Sequence, residues 1–185
     1  MNDLKAGADV TINEKHAQIH RGISFHAWDR EIILHNGQSL EIGLMTPEHK
    51  EIHVDVEYSA RGSHTLEVVE GCGWTPTNEI DVFNKNRIIN LSSVMFSGPT
   101  ASVSATGKVS KASGVTGGTV IFSESGYFEP KLPGVFGGDC CDRELILGKE
   151  ETYVFRLTSD VNNNSGYMML HWYELKDIPY RKIGR

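Results

Sequence analysis

A chain of 185 residues with 39% hydrophobic and 23% charged side chains can bury a core of its own and is too apolar for global disorder. Eighteen basic against 24 acidic side chains give a formal charge of −6, which argues against a nucleic-acid binder working by bulk electrostatics. No apolar run approaches the roughly 20 residues of a bilayer span, and the opening MNDLKAGADV lacks the basic-then-apolar order of a signal peptide, so neither membrane insertion nor export is expected.

Residues 1–20 are polar without a periodic face and read as an N-terminal arm ahead of a domain over 21–176, with 177–185 as a tail. Within the domain the dominant signal is alternation with period two. Ser39–Met45 places Leu40, Ile42 and Leu44 on one side. Glu51–Ala60 places Ile52, Val54, Val56 and Tyr58 opposite His53, Asp55 and Glu57. Such alternation marks half-buried antiparallel strands. His64–Glu70 follows across Arg61-Gly62-Ser63, a connection short enough to predict a hairpin. Glu151–Thr158 and Gly166–Leu175, joined by the turn-forming SDVNNNS, predict a second. No window of 11 residues or more sustains a helical face. The expectation is an all-β, antiparallel sandwich or barrel.

Two stretches break the rhythm. In Ser92–Thr119, 16 of the 28 residues are Ser, Thr or Gly, which reads as one long loop. Gly126–Asp142, with Pro130 and Pro133, reads as another. Segments with so little to bury carry entropy that a partner surface would offset, which favours an assembly over a free monomer.

Candidate chemistry is sparse. His49 and His53 share a strand face, as do His16 and His20 by spacing, but four residues of strand separate two imidazoles by about 13 Å, too far to share one ion. The adjacent Cys140 and Cys141 are flanked by Asp139 and Asp142, which disfavour thiolates, and no C-x-x-C spacing occurs. Three cysteines cannot form a disulfide framework, so a reducing cytosol is the expected place of synthesis. There is no G-x-S-x-G elbow, no phosphate loop ending in G-K-[ST] and no H-E-x-x-H, and GVTGG at 114–118 precedes no helix. No catalytic residue, metal or cofactor is expected. Among the aromatics, Trp172 and Tyr173 must face opposite ways on their strand, while Trp28 falls near an expected strand end. Exposed aromatics of this kind suit oligomer contacts or sugar platforms.

Four segments in order then resemble a family of small structural proteins of tailed bacteriophages: IHRGISF at 19–25, IHVDVEYSARGSHTLEVVEG at 52–71, FNKNR at 83–87, and LILGKEETYVFRLTS followed by YMMLHWYE across 145–174. Members typically show an IHEG-like start, an E-G pair after a β-hairpin, an N-R-N-R block, a Gly-rich loop, L-x-P-N-T-x-Y-x-F-R and a closing L-E-W-Y-E. Here Lys85 replaces the first arginine of the block, GKEET stands where P-N-T is usual, and His171 precedes Trp172. The resemblance implies a jelly-roll-like sandwich and a capsid decoration, or cement, protein: non-enzymatic, homotrimeric, bound to the major capsid protein on the virion exterior. A tail- or fibre-associated module binding host glycan is the alternative. Asn84, Asn86, Arg87, Trp28, Trp172 and Tyr173 are the interface and structural candidates, with Arg87 expected to lock a loop or pair across a subunit boundary.

Overall fold

The computed structural model describes residues 14–85, 105–127 and 144–176. One short helix, α1 (Glu14–His20), precedes eleven strands: β1 (Ser24–Leu34), β2 (Ser39–Met45), β3 (Lys50–Ala60), β4 (His64–Glu70), β5 (Gly73–Glu79), β6 (Phe83–Asn84), β7 (Lys108–Thr116), β8 (Thr119–Gly126), β9 (Leu145–Leu147), β10 (Thr152–Ser159) and β11 (Asn164–Lys176). They form two antiparallel sheets. The first runs β6-β1-β11-β3-β9 and the second β5-β7-β2-β10-β4-β8. Successive strands change sheet at every step except β4–β5 and β7–β8. With β5, β6 and β7 set aside, the other eight stand as β1-β11-β3-β9 over β2-β10-β4-β8, the strand order of a jelly roll.

The alternation seen in the sequence becomes the core. Phe25, Ile52, Val54, Met168, Leu170 and Trp172 of the first sheet pack against Leu40, Ile42, Leu44, Leu66, Tyr153, Phe155 and Leu157 of the second, all essentially buried. Each such side chain contributes on the order of 1.5–3 kcal/mol by leaving water. Tyr153 keeps its hydroxyl satisfied by donating to Glu70 (2.6 Å) and accepting from the Gly148 amide (2.7 Å). Burial, reinforced by that carboxylate, pushes its phenol well above the ordinary value.

Neither expected hairpin forms. β3 and β4 lie in different sheets, and so do β10 and β11, so both short connections are arches that carry the chain across the core. Turn length alone cannot separate the two geometries, because a link of three or four residues spans the gap between packed sheets as readily as it reverses a strand. The arches are tied together by the buried Asn164. Its Oδ1 accepts from the Gly62 amide (2.7 Å) and its Nδ2 donates to the Ser159 hydroxyl (2.9 Å).

The Ser/Thr/Gly stretch is also not one loop, since Lys108–Thr116 is a strand and β8 begins at Thr119. β4 and β5 pair with β8 and β7 as one continuous two-stranded ribbon, with Glu70 opposite Thr119 and Gly73 opposite Thr116. The ribbon bends at Gly71-Cys72 and Gly117-Gly118 to pass from the β10 side of the sheet to the β2 side. Gly118 has a φ of 84°, and a Cβ there would lie 2.7 Å from the Glu70 carbonyl oxygen. Beyond the bend, Trp74 lies against Gly43 and shelters Val154, Val69 and Cys72 in a small second cluster on the sheet's outer side. β5 buries none of its residues and β7 only Ser110, so neither shows the alternation of a core strand.

Within the expected arm, Glu14–His20 forms α1, and residues 1–13 lie outside the described residues. Most of Gly126–Asp142 and the tail at 177–185 lie outside the described residues.

Candidate functional site

The outer side of the first sheet gathers the polar and aromatic groups that the core excludes. In register across β1, β11 and β3 stand His26, His171 and Asp55; one row on, Trp28, Met169 and Glu57; in the other direction, Tyr173 and His53, followed by Ile146 of β9. Alternation puts all of them on one face because their in-strand neighbours Ala27, Leu170, Trp172, Val54 and Val56 turn inward.

Glu144, one residue before β9, is the hub at one end. It accepts from His53 Nδ1 (2.7 Å) and from the Tyr173 hydroxyl, whose ring stacks on His53 at 4.8 Å. Lys15 of α1 reaches over, 2.5 Å from Asp55 Oδ2 and 3.6 Å from Glu144 Oε2. Burial alone would raise the Glu144 carboxyl, but Tyr173, His53 and Lys15 together hold it below the usual carboxylate value. At the other end His171 Nε2 lies 3.3 Å from Glu57, and its ring sits 6.0 Å from His26, which stacks on Phe83 of β6. Burial, helped by the Lys85 ammonium and opposed by Glu57, depresses the His171 pKa below 6.5. Lys85 is itself shifted down by burial, with Asp55 acting against the shift.

The sequence candidates separate on this map. Trp172 is fully buried beside Phe25 (5.8 Å between ring centroids), so it belongs to the core and to no interface. Tyr173 faces outward, as alternation requires. Trp28 lies in the middle of β1 rather than at a strand end, 42% exposed, with its ring 6.2 Å from Tyr167. Asn84 is buried and donates to the Gly22 carbonyl (2.6 Å), pinning the entry into β1. Asn86 and Arg87 lie outside the described residues.

His49 is exposed beside Glu48 and takes no part in the His53 cluster. Among the described residues no group of three or more His, Cys, Asp or Glu side chains is placed to hold a metal ion, and no helix is long and apolar enough to cross a membrane. The buried thiol of Cys72 is raised by desolvation.

Reading the residues alone missed Lys15, Asp55 and Glu144 as a group, and also Glu174. The Glu174 carboxylate, 2% exposed, points inward from β11 and collects the Lys50 ammonium (2.8 Å), the Thr106 amide (2.8 Å), the Thr106 hydroxyl (2.5 Å) and the Gly107 amide (2.9 Å). Burial acts to raise its pKa, and these donors more than reverse that, leaving it below 4.5. The one available signal was a charged residue on the apolar face of a strand.

The fold and its polar face thus define a jelly-roll sandwich whose clustered side chains tie elements together. No family model matches the chain, and neither a curated protein nor a solved structure matches it.

Proposed function

We propose that this chain is a non-enzymatic structural protein of a tailed-phage virion, a decoration protein that binds the major capsid protein on the head exterior as a homotrimer. The observation that carries the reading is the apolar display on β1. Among the described residues its outer edge pairs with β6 only at Phe25 and His26. Beyond that point Trp28, Ile32 and Ile33 are 42%, 73% and 61% exposed. A bulge between Glu31 and Leu34 breaks the alternation there, so both isoleucines face water. Large apolar side chains grouped on a strand edge suit contact with another protein surface. The four-segment resemblance supplies the kind of surface.

The remaining sheet edges are blunted. β5 contains Pro76 and two register shifts, β8 has a bulge against Val68-Val69, β9 is three residues long and β6 two. Attachment therefore runs through side chains and the arm more than through strands added to this sandwich. The test is to add purified protein to heads stripped of it and locate it by cryo-electron microscopy, with light scattering for the oligomer. Saturable density on the shell and a trimer are expected; a monomer that leaves the shell bare overturns the reading.

The Trp28–Tyr167 pair, with Glu57 nearby, favours a second reading as a glycan platform. Retention on a host-surface polysaccharide, abolished by Trp28→Ala, would support it.

A further inference from the structure

We infer that α1 is a releasable strap, buckled onto the outer face of the first sheet by the ammonium group of Lys15 between Asp55 and Glu144 and hinged at Gly22. The inference concerns the chain itself and does not depend on the virion reading.

Four observations support it. First, α1 has seven residues. A helix that short is not stable in water on its own, so docking must hold it. Second, the side-chain anchor is electrostatic and half open to solvent: the Lys15 side chain is 37% exposed, and its acceptors Asp55 and Glu144 are 18% and 23% exposed. Lys85 lies close enough to feel the Lys15 charge, so like-charge repulsion opposes closure. Third, closure leaves polar atoms unpaired. Gln18 Oε1 and Asp55 Oδ1 are buried without a hydrogen-bond partner among the described residues, and opening returns both to water.

Fourth, the chain changes character at one point. On the helix side, the turn is held by Gly22 N to Ile19 O (2.9 Å) and Ile23 N to Gln18 O (3.2 Å). On the sheet side, Asn84 grips the Gly22 carbonyl, Ile23 O accepts from Glu174 N (3.1 Å) and Ser24 O accepts from Lys85 N (2.8 Å). Gly22 itself has a φ of 72°, a conformation glycine adopts without strain. A weakly held turn thus abuts a firmly held strand across one permissive residue. Release would free α1 and uncover the Asp55–Glu144 seat.

Hydrogen exchange of the full-length protein, followed by mass spectrometry, tests this. Lys15→Ala should raise exchange at the Gly22 and Ile23 amides by about two- to fivefold, the range a partly exposed ion pair supports. Lys15→Arg should restore protection, and Asp55→Asn/Glu144→Gln should loosen the turn as Lys15→Ala does. Half-molar salt should loosen the parent and leave Lys15→Ala unchanged. The β1–β11 amides should exchange alike in every case. Unchanged exchange in Lys15→Ala would overturn the inference. So would loosening absent from the acceptor-side variant, or exchange rising equally in β1, which would make α1 part of the core.

Discussion

Tyr173 and Glu174 are consecutive on β11, both engage charged partners, and they teach opposite lessons about what a polar cluster does. Glu174 turns inward, is dry, and meets donors from β3 and from the turn before β7, 67 to 124 residues away in sequence. Tyr173 turns outward and joins His53 and Glu144 in a network that water reaches from one side. In the first cluster, loss of the carboxylate would strand the buried Gly107 amide and take from Lys50 and Thr106 the acceptor they share. In the second, solvent can replace any member. The inner cluster locks the sandwich, and the outer one can be rearranged without unfolding it.

The largest expected effect breaks that contrast at its buried half. Glu174→Ala leaves the Lys50 ammonium and the Thr106 and Gly107 amides without their acceptor, and urea denaturation should show a loss of about 3–5 kcal/mol, the usual result of removing one partner from a buried charged cluster. Acid should do the same more gradually. The folded carboxyl titrates below 4.5, so its stabilising contribution is complete above that value and is lost as pH falls through the depressed folded value. In Glu174→Ala this limb of the stability curve should flatten.

Half of this cluster was within reach of the sequence. β2, β3, β4, β10 and β11 announce themselves by period two because each sends alternate side chains into the main core, and only Val69 of β4 and Val154 of β10 add a buried apolar side chain on the outer side. Glu174 breaks that pattern at Trp172-x-Glu174, a charge where the core should continue. Its donors were hidden because Thr106 and Gly107 fall in a stretch whose Ser and Gly content imitates a loop, and a contact across 68 residues leaves no local trace. β7 was missed for the same reason, since KVSKASGVT holds mostly small and polar side chains and reads as loop. The end of β1 was hidden by its bulge, and β9 by its length of three residues. Lys15 sits in a polar arm where nothing marks one lysine above another.

A smaller effect sharpens the comparison from the backbone side. A Cβ on Gly107 would lie 2.9 Å from Ile52 Cδ1, 3.3 Å from Leu44 Cδ1 and 3.6 Å from Glu174 Oε1. Gly107→Ala should therefore cost about 1–2 kcal/mol by crowding two core side chains, in the range for overpacking, while keeping the carboxylate's hydrogen bonds. If thermal unfolding gave instead a loss as large as that of Glu174→Ala, the turn's backbone rather than its charge would be what locks the sandwich.

Tyr173→Phe removes one hydroxyl from the outer network and leaves Glu144 with His53 and Lys15. Chemical denaturation should show a loss under about 1 kcal/mol, because water takes the vacated position.

The smallest effect separates the clusters by pH. His171 titrates below 6.5 in the folded chain, so the unfolded chain binds its proton first. Stability should dip slightly as pH falls from 6.5 toward the depressed folded value and then level off. His171→Gln should erase this upper step and leave the acid limb intact, whereas Glu174→Ala should do the reverse. Thermal melts of the two variants across pH 4–8 would show whether the two faces of β11 respond independently. A single merged transition would mean that the outer network is coupled to the core, and that the solvent-facing cluster is not free to rearrange on its own.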